Sequence, residues 1–292
     1  MNAIDREYCM TAIEPDDPKA IMQDTITPAT FVSDGKTDFA AQPAFQDNAD
    51  LFFNADKALE YKAVAMEELS AAGVTFPITM MVTYKVSDKD WENQCILLKQ
   101  QIEGVLGTDY IQVELWGGPA ESFLTETRRA GKYSLMKVNW GADYVDPQTW
   151  TDPFDGVGNT DPDTGAPIGN SYNRMDKFYL DPELVDDFPQ TTAILTEYYE
   201  KVAEAKAEAV DMEKRHQLFA EAEDILIEHA LVIPLHISPA TYTATKINIF
   251  EGQYSPAGNS SVRFKGQKVY DHFITMEEFN KNYEAWLAEF NK

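Results

Sequence analysis

ITMMVTYKV, residues 78–86, follows Pro77 and is dense in β-branched and aromatic residues, the composition of a strand. Asp88 to Val105 then changes period, with Trp91, Cys95, Leu98 and Ile102 at helical spacing. YIQVELW, residues 110–116, returns to alternation. Glu121 to Ala130 reads as a short helix, and KYSLMKVNW, residues 132–140, as a third strand. Strand–helix–strand–helix–strand at these lengths predicts βαβ units, hence a mainly parallel sheet flanked by helices and an α/β fold class.

Working outward from this block, Asp56 to Ala72 reads as an amphipathic helix, with Leu59, Ala63, Met66 and Leu69 on one face and Gly73 stopping it. Upstream lies a loop rich in Asp, Pro and Thr, preceded by a predicted helix from Asn2 to Ile13. Downstream, Gly141 to Asp187 reads as loop, followed by long helices at Gln190–Lys206 and Asp211–Glu228. Ala230 to Ile237 (ALVIPLHI) is expected as a buried strand with Ala240–Lys246 as its partner, and Met276–Phe290 as a last helix.

The 292 residues are 44% hydrophobic and 12% aromatic, enough to fold around a sizeable core. Against 24 Lys and Arg stand 49 Asp and Glu, a net charge of −25 that repels phosphate backbones and anionic lipid and argues against nucleic-acid binding. No stretch is long and apolar enough for a membrane span, and the first ten residues lack a signal-peptide pattern. The two cysteines, Cys9 and Cys95, form neither metal spacing nor a disulfide framework. The four histidines form no zinc motif, and there is no phosphate loop, dinucleotide fingerprint or nucleophile elbow. The acidic loop Asp152–Gly165 has calcium-loop composition but departs from the EF-hand order. No cofactor or metal is therefore expected.

The segment NWGADYVDPQTW, residues 139–150, places an aromatic ring, a turn and a carboxylate where a predicted strand ends. In open α/β sheets ligands sit beyond the carboxyl ends of strands. A fixed Asp143 there suits a cationic group such as an ammonium; the alternative is a capped turn with Trp140 in the core.

The same segment resembles the W-x-A-D-Y-x-D/E-P stretch of oligopeptide-binding proteins, the extracytoplasmic receptors of peptide ABC importers in the peptide/nickel class of solute-binding proteins. NAIDRE (2–7) is similar to that family's A-I-D-R-E helix, and AVAMEELSAAG (63–73) to its A-x-x-x-L-x-x-A-G element. RHQLFAEAEDILIEHALVIPLHISP (215–239) resembles its R-x-x-L-x-x-x-A-E-x-x-L run leading to I-P-L. YSPAGNSSVRFK (254–265) and ITMEEFNKNYEAW (274–286) are similar to tails of Gram-positive members.

The resemblance implies one lobe of a type II periplasmic-binding-protein fold, corresponding to the C-terminal half of a two-lobed receptor and so an incomplete fragment. Residues 1–252 would be the ligand-binding lobe and 253–292 a return segment packing on the N-terminal lobe. It implies a non-enzymatic, cofactor-free role outside the cytoplasm, with an oligopeptide ligand and a membrane-embedded ABC permease as partners. Asp143 would pair with the peptide's terminal ammonium. Trp140, Gly141 and Ala142, with the adjoining Asn139, would supply backbone for strand-like pairing. Lys137, standing where the family pattern has Arg, and Arg128 would face the peptide carboxylate. Relatives that bind nickel complexes, haem or oligosaccharides share the fold, and a hydrolase using two acidic residues is the alternative from another class.

Overall fold

Proline, capping side chains and glycine set where the elements begin and end. A computed structural model describes residues 1–155, 182–238, 243–251 and 266–290. The chain opens with α1 (Arg6–Met10), whose first turn is capped by the Asp5 carboxylate accepting from the Tyr8 amide at 3.1 Å. Asn54 caps α2 (Ala55–Ala71) and Asp88 caps α3 (Lys89–Leu106) in the same way. At the end of α3, Gly107 takes φ +81°, a conformation that lets the chain leave the helix towards the next strand.

The parallel sheet expected from the sequence is present. β1 (Ile78–Lys85) is central, flanked by β2 (Ile111–Gly118) and β3 (Leu135–Met136), and both pairings are parallel. Ile78 stands opposite Ile111 and Val82 opposite both Leu115 and Leu135. The β1–α3–β2 unit folds α3 onto the sheet, burying Val82, Val113, Cys95 and Ile102 in a core that also takes Ile4 and Met10. Gln112 and Glu114 alternate outward from Ile111 and Val113, so β2 keeps one polar face.

The second core belongs to two antiparallel-linked helices. After α4 (Gln148–Thr151) and α5 (Pro182–Asp187), α6 (Pro189–Ala207) packs on α7 (Met212–Glu228) through Leu195, Tyr198, Val202, Phe219 and Leu226. Phe39, Phe45 and Phe52 from the loop upstream of α2 close over these helices. α8 (Met276–Phe290) stacks Phe279, Tyr283 and Trp286 around Phe250.

Several expectations are corrected. Asn2–Ile13 is helical only over Arg6–Met10. In α2 the expected inward residues Leu59 and Ala63 are exposed; Ala58 is buried and Met66 and Leu69 half-buried, a rotation set by where α3 lies. Glu121–Ala130 contributes only one π-helical turn, Leu124–Arg128. Of the strand expected over Lys132–Trp140, only Leu135–Met136 pairs; Ser134 Oγ takes the Met81 amide that a longer ladder would have used.

Ala230–Ile237 is not a strand. The Leu231 and Val232 amides close the end of α7 on Leu226 O, Pro234 brings no amide, and only His236 bridges, antiparallel to Met22. Nor do residues 243–246, the described part of the segment expected as its partner, pair with it. Within the described part, Lys246 O accepts from Tyr270, Thr245 O accepts from Ile274, and Ile247 bridges Val269. The acidic loop from Gly156 to Gly165, and YSPAGNSSVRFK at 254–265, lie outside the described residues.

Candidate functional site

Between the two cores lies a cleft of about 640 Å³. Its floor is Val82 of β1 with Cys9 and Met10 of α1; Trp91, Gln94 and Leu98 of α3 form one wall, and residues 230–238 another. The chain leaving β3 runs along it, so Lys137, Val138, Asn139 and Trp140 all line the cleft, opposite Trp150 and Phe154. This is the crevice beyond the carboxyl ends of parallel strands where a ligand is expected.

The structure sorts the sequence-derived site residues. Lys137 is held inside, its Nζ donating to Gln94 Oε1 at 3.2 Å and lying 5.5 Å from the Trp91 ring centroid. Burial pushes its pKa down, against Asp88, the Cys95 thiol and Asp90, which pull it up. Among the described residues no carboxylate lies within 4 Å of it, so an entering anion would meet a partly desolvated cation. Asn139 and Trp140 line the cleft. Gly141, Ala142 and Asp143 continue past its edge; Gly141 and Asp143 are exposed and none of the three is a lining residue. Arg128, on the π-helical turn, also lies off the cleft lining. The structure thus brings Lys137, Asn139 and Trp140 together and leaves Asp143 at the rim and Arg128 apart.

What holds this arrangement are residues used above only as motif letters. Arg6 of NAIDRE is buried and donates to Gln23 O at 2.6 Å, Pro234 O at 3.0 Å and Asp24 Oδ1 at 2.6 Å, with its guanidinium 3.3 Å from the Phe52 ring centroid. It ties α1 to the 230–238 wall and to the loop at Gln23 and Asp24. Glu223 of the Ala-Glu run is fully buried on α7; its carboxyl accepts from the Ile26 and Thr27 amides and from Thr27 Oγ1 at 2.7 Å. That fastens the cleft-lining loop through Gln23, Thr25 and Ile26. Desolvation pushes the Glu223 carboxyl up to about 7 despite those donors. For Glu223 the signal that could have found it is a charged side chain whose helical-spacing neighbours Phe219, Ala220, Leu226 and Ile227 are all apolar; Arg6, between Asp5 and Glu7, carries no such signal.

Cys9 and Cys95 also line the cleft, and both are buried free thiols. Burial is the main cause that pushes them up to about 11 and about 12. Thiolate is the reactive form, so alkylation in the folded protein at neutral pH should be slower than for a free cysteine by on the order of a hundredfold. Mass spectrometry after a timed pulse of iodoacetamide, with and without denaturant, checks this; equal rates in both would refute it.

Among the described residues, no group of three or more His, Cys, Asp or Glu side chains is placed to hold a metal, and no helix is long and apolar enough to cross a membrane.

A parallel sheet with α3 folded upon it, a helical second core and a cleft between them define a lobe of the type II periplasmic-binding-protein fold. Solved structures agree. A peptide-binding protein of a peptide ABC transporter superposes with a TM-score of 0.56 at 22% identity, covering 80% of this chain and 86% of that one. The pheromone receptor PrgZ, solved with its mode of peptide binding, gives a TM-score of 0.55 at 18% identity over 92% of this chain and 44% of its own.

No protein-family model matches the chain. Among curated proteins it is 29% identical over 289 residues to the oligopeptide-binding protein AliB of Streptococcus pneumoniae, covering 92% of this chain and 42% of AliB. It is 30% identical over 311 aligned positions to AmiA, an oligopeptide-binding protein of the same species, covering 98% of this chain and 45% of AmiA. The chain is a homologue of oligopeptide-binding proteins, and it spans less than half the length of the curated relatives it matches.

Proposed function

We propose that this chain forms one lobe of an oligopeptide receptor that delivers peptides to a membrane-embedded ABC permease, outside the cytoplasm and without chemistry or cofactor of its own. The observation that carries this reading is the cleft at the carboxyl end of the parallel sheet, with the W-x-A-D-Y segment running along it and out over its rim. Trp140 and the backbone of Asn139–Ala142 would lie along an extended peptide, where main-chain pairing tolerates varied side chains. Asp143 would take the terminal ammonium. Lys137, a cation without a carboxylate partner among the described residues, would take a peptide carboxylate; Arg128, off the cleft lining, is a weaker candidate for that role.

Residues 1–252 would be the lobe itself and 253–292 a segment for packing against the portion of the relatives that this chain does not match. Exposed Phe273, Met276 and Tyr283 on and beside α8 support that division.

In this chain alone, Asp143 faces solvent, where an ion pair contributes only ~0–1 kcal/mol. Peptide binding should therefore be in the millimolar range or undetectable. Joined to the unmatched portion of AmiA, the cleft would close over the ligand and each charged contact would strengthen. Calorimetry on that chimera should then show tight binding. Asp143→Asn should weaken free-amine peptides by roughly tenfold to a hundredfold, as expected for a charge-assisted hydrogen bond, and N-acetylated ones little. Equal losses for both peptides would remove Asp143 from the site. Turnover of the peptide would overturn the non-enzymatic reading.

A further inference from the structure

Two segments singled out by their motifs meet in space. Asp146 follows Asp143 by three residues, and Arg215 opens the Ala-Glu run on α7. Arg215 grips Asp146 with two bonds, Nη2 to Oδ1 at 2.9 Å and Nε to Oδ2 at 3.1 Å. Its second Nη2 proton goes to Gln148 Oε1 at 3.1 Å, and Nη1 donates to Ala205 O at 2.8 Å and Glu208 O at 3.1 Å at the end of α6. All five guanidinium donors are thus used, in a side chain that is 10% exposed. The Phe219 ring backs it, with its centroid 4.7 Å away.

What Arg215 holds is the turn that orients Asp143. Asp146 Oδ1 also accepts from the Gln148 amide at 2.9 Å, and Asp146 O from the Thr149 amide at 3.2 Å. Thr149 is fully buried, and its Oγ1 accepts from the Asp143 amide at 3.0 Å. A continuous chain of hydrogen bonds therefore runs from the α6–α7 corner to the backbone of the exposed carboxylate. Without it, Gly141–Asp143 would be a rim segment with no inward anchor on its own backbone amide.

We propose that Arg215 is a positioning residue for Asp143, acting through Asp146 and Thr149 rather than by touching ligand. This rests on Asp143 being the amine-binding carboxylate. A lysine cannot reproduce the function, because its three donors radiate from one nitrogen and cannot form the planar two-bond grip.

The test uses Arg215→Lys and Thr149→Val, the second a near-isosteric change that removes the hydroxyl accepting from the Asp143 amide. In the intact chain, amide exchange at Asp143, followed by NMR, should speed up roughly tenfold or more in both variants, as expected when a hydrogen bond is lost. The α6 and α7 amides should stay unchanged in Thr149→Val. In the AmiA chimera, both variants should lose preference for free-amine over N-acetylated peptide while retaining the acetylated affinity. Unchanged exchange at Asp143 overturns the proposal, as does an equal loss of both peptides, which a merely structural role would produce. Should Arg215→Lys fail to fold, Thr149→Val decides alone. If the unmutated chimera binds no peptide, the receptor reading fails, whereas exchange at Asp143 still decides the Arg215 connection.

Discussion

Arg215→Met lowers the unfolding free energy by about 3–5 kcal/mol, the usual cost of breaking a buried ion pair from one side. The substitution removes both the guanidinium that the Phe219 ring backs and the two-bond grip on Asp146. It also takes the guanidinium donor from Glu208 O at the end of α6, and leaves Ala205 O with only the Glu208 amide at 3.3 Å. A domain of this size should melt on the order of 10 °C lower. Lys19→Met is the control. Lys19 and Glu7 lie 3.1 Å apart with both side chains largely exposed, and such pairs contribute ~0–1 kcal/mol. Urea denaturation of the three proteins checks this; a loss below about 1 kcal/mol for Arg215→Met would show that water replaces the guanidinium at no cost.

The second large effect is a pH slope. Glu223 titrates near 4.5 in an unfolded chain and is pushed up to about 7 here, mainly by complete burial. The native state therefore keeps a proton that the unfolded chain has already released between these values. Because the native state binds more protons there, the stability Glu223 contributes is greatest below 4.5 and declines as pH rises towards 7. The span corresponds to about 3 kcal/mol. Asp224 on the same helix adds to the effect, while the amides of Ile26 and Thr27 and the Thr27 hydroxyl oppose it. Tyr198, from α6, faces the same interior. Glu223→Gln keeps an acceptor for the Ile26 and Thr27 amides and removes the titration. Unfolding curves collected through the window should show wild type losing about 3 kcal/mol relative to the glutamine variant. Parallel curves for the two proteins would mean that Glu223 is ionised in the fold throughout.

Both effects come from residues whose importance a sequence reading passed over while quoting them. Arg215, Glu223 and Arg6 stood in the patterns that carried the family resemblance, as letters in a string. Each turns out to be a buried charge whose partners are far along the chain: Arg6 reaches Pro234, 228 residues away, and Glu223 reaches Thr27, 196 residues away. Their neighbours in sequence say that they sit on helices; nothing local says what they grip.

The sequence by itself determined whatever depends on nearby residues. Helical spacing of Trp91, Cys95, Leu98 and Ile102 marked α3, and the Asp88 and Asp211 caps set helix starts to within a residue. Strand composition and connection length made the sheet parallel before any pairing was seen. The tertiary structure decided the rest. An extended, apolar run such as Ala230–Ile237 becomes a strand only if a neighbour offers its amides and carbonyls, and here Met22 alone bridges to it through His236. Lys137 and Arg128 were both expected to face a peptide carboxylate, yet Lys137, just past the end of β3, lines the cleft and Arg128, on the π-helical turn, lies off it. The reason is physical: side-chain periodicity records which face a residue occupies on its own element, whereas a site is made by several elements whose relative placement is fixed by distant packing and a few buried hydrogen bonds.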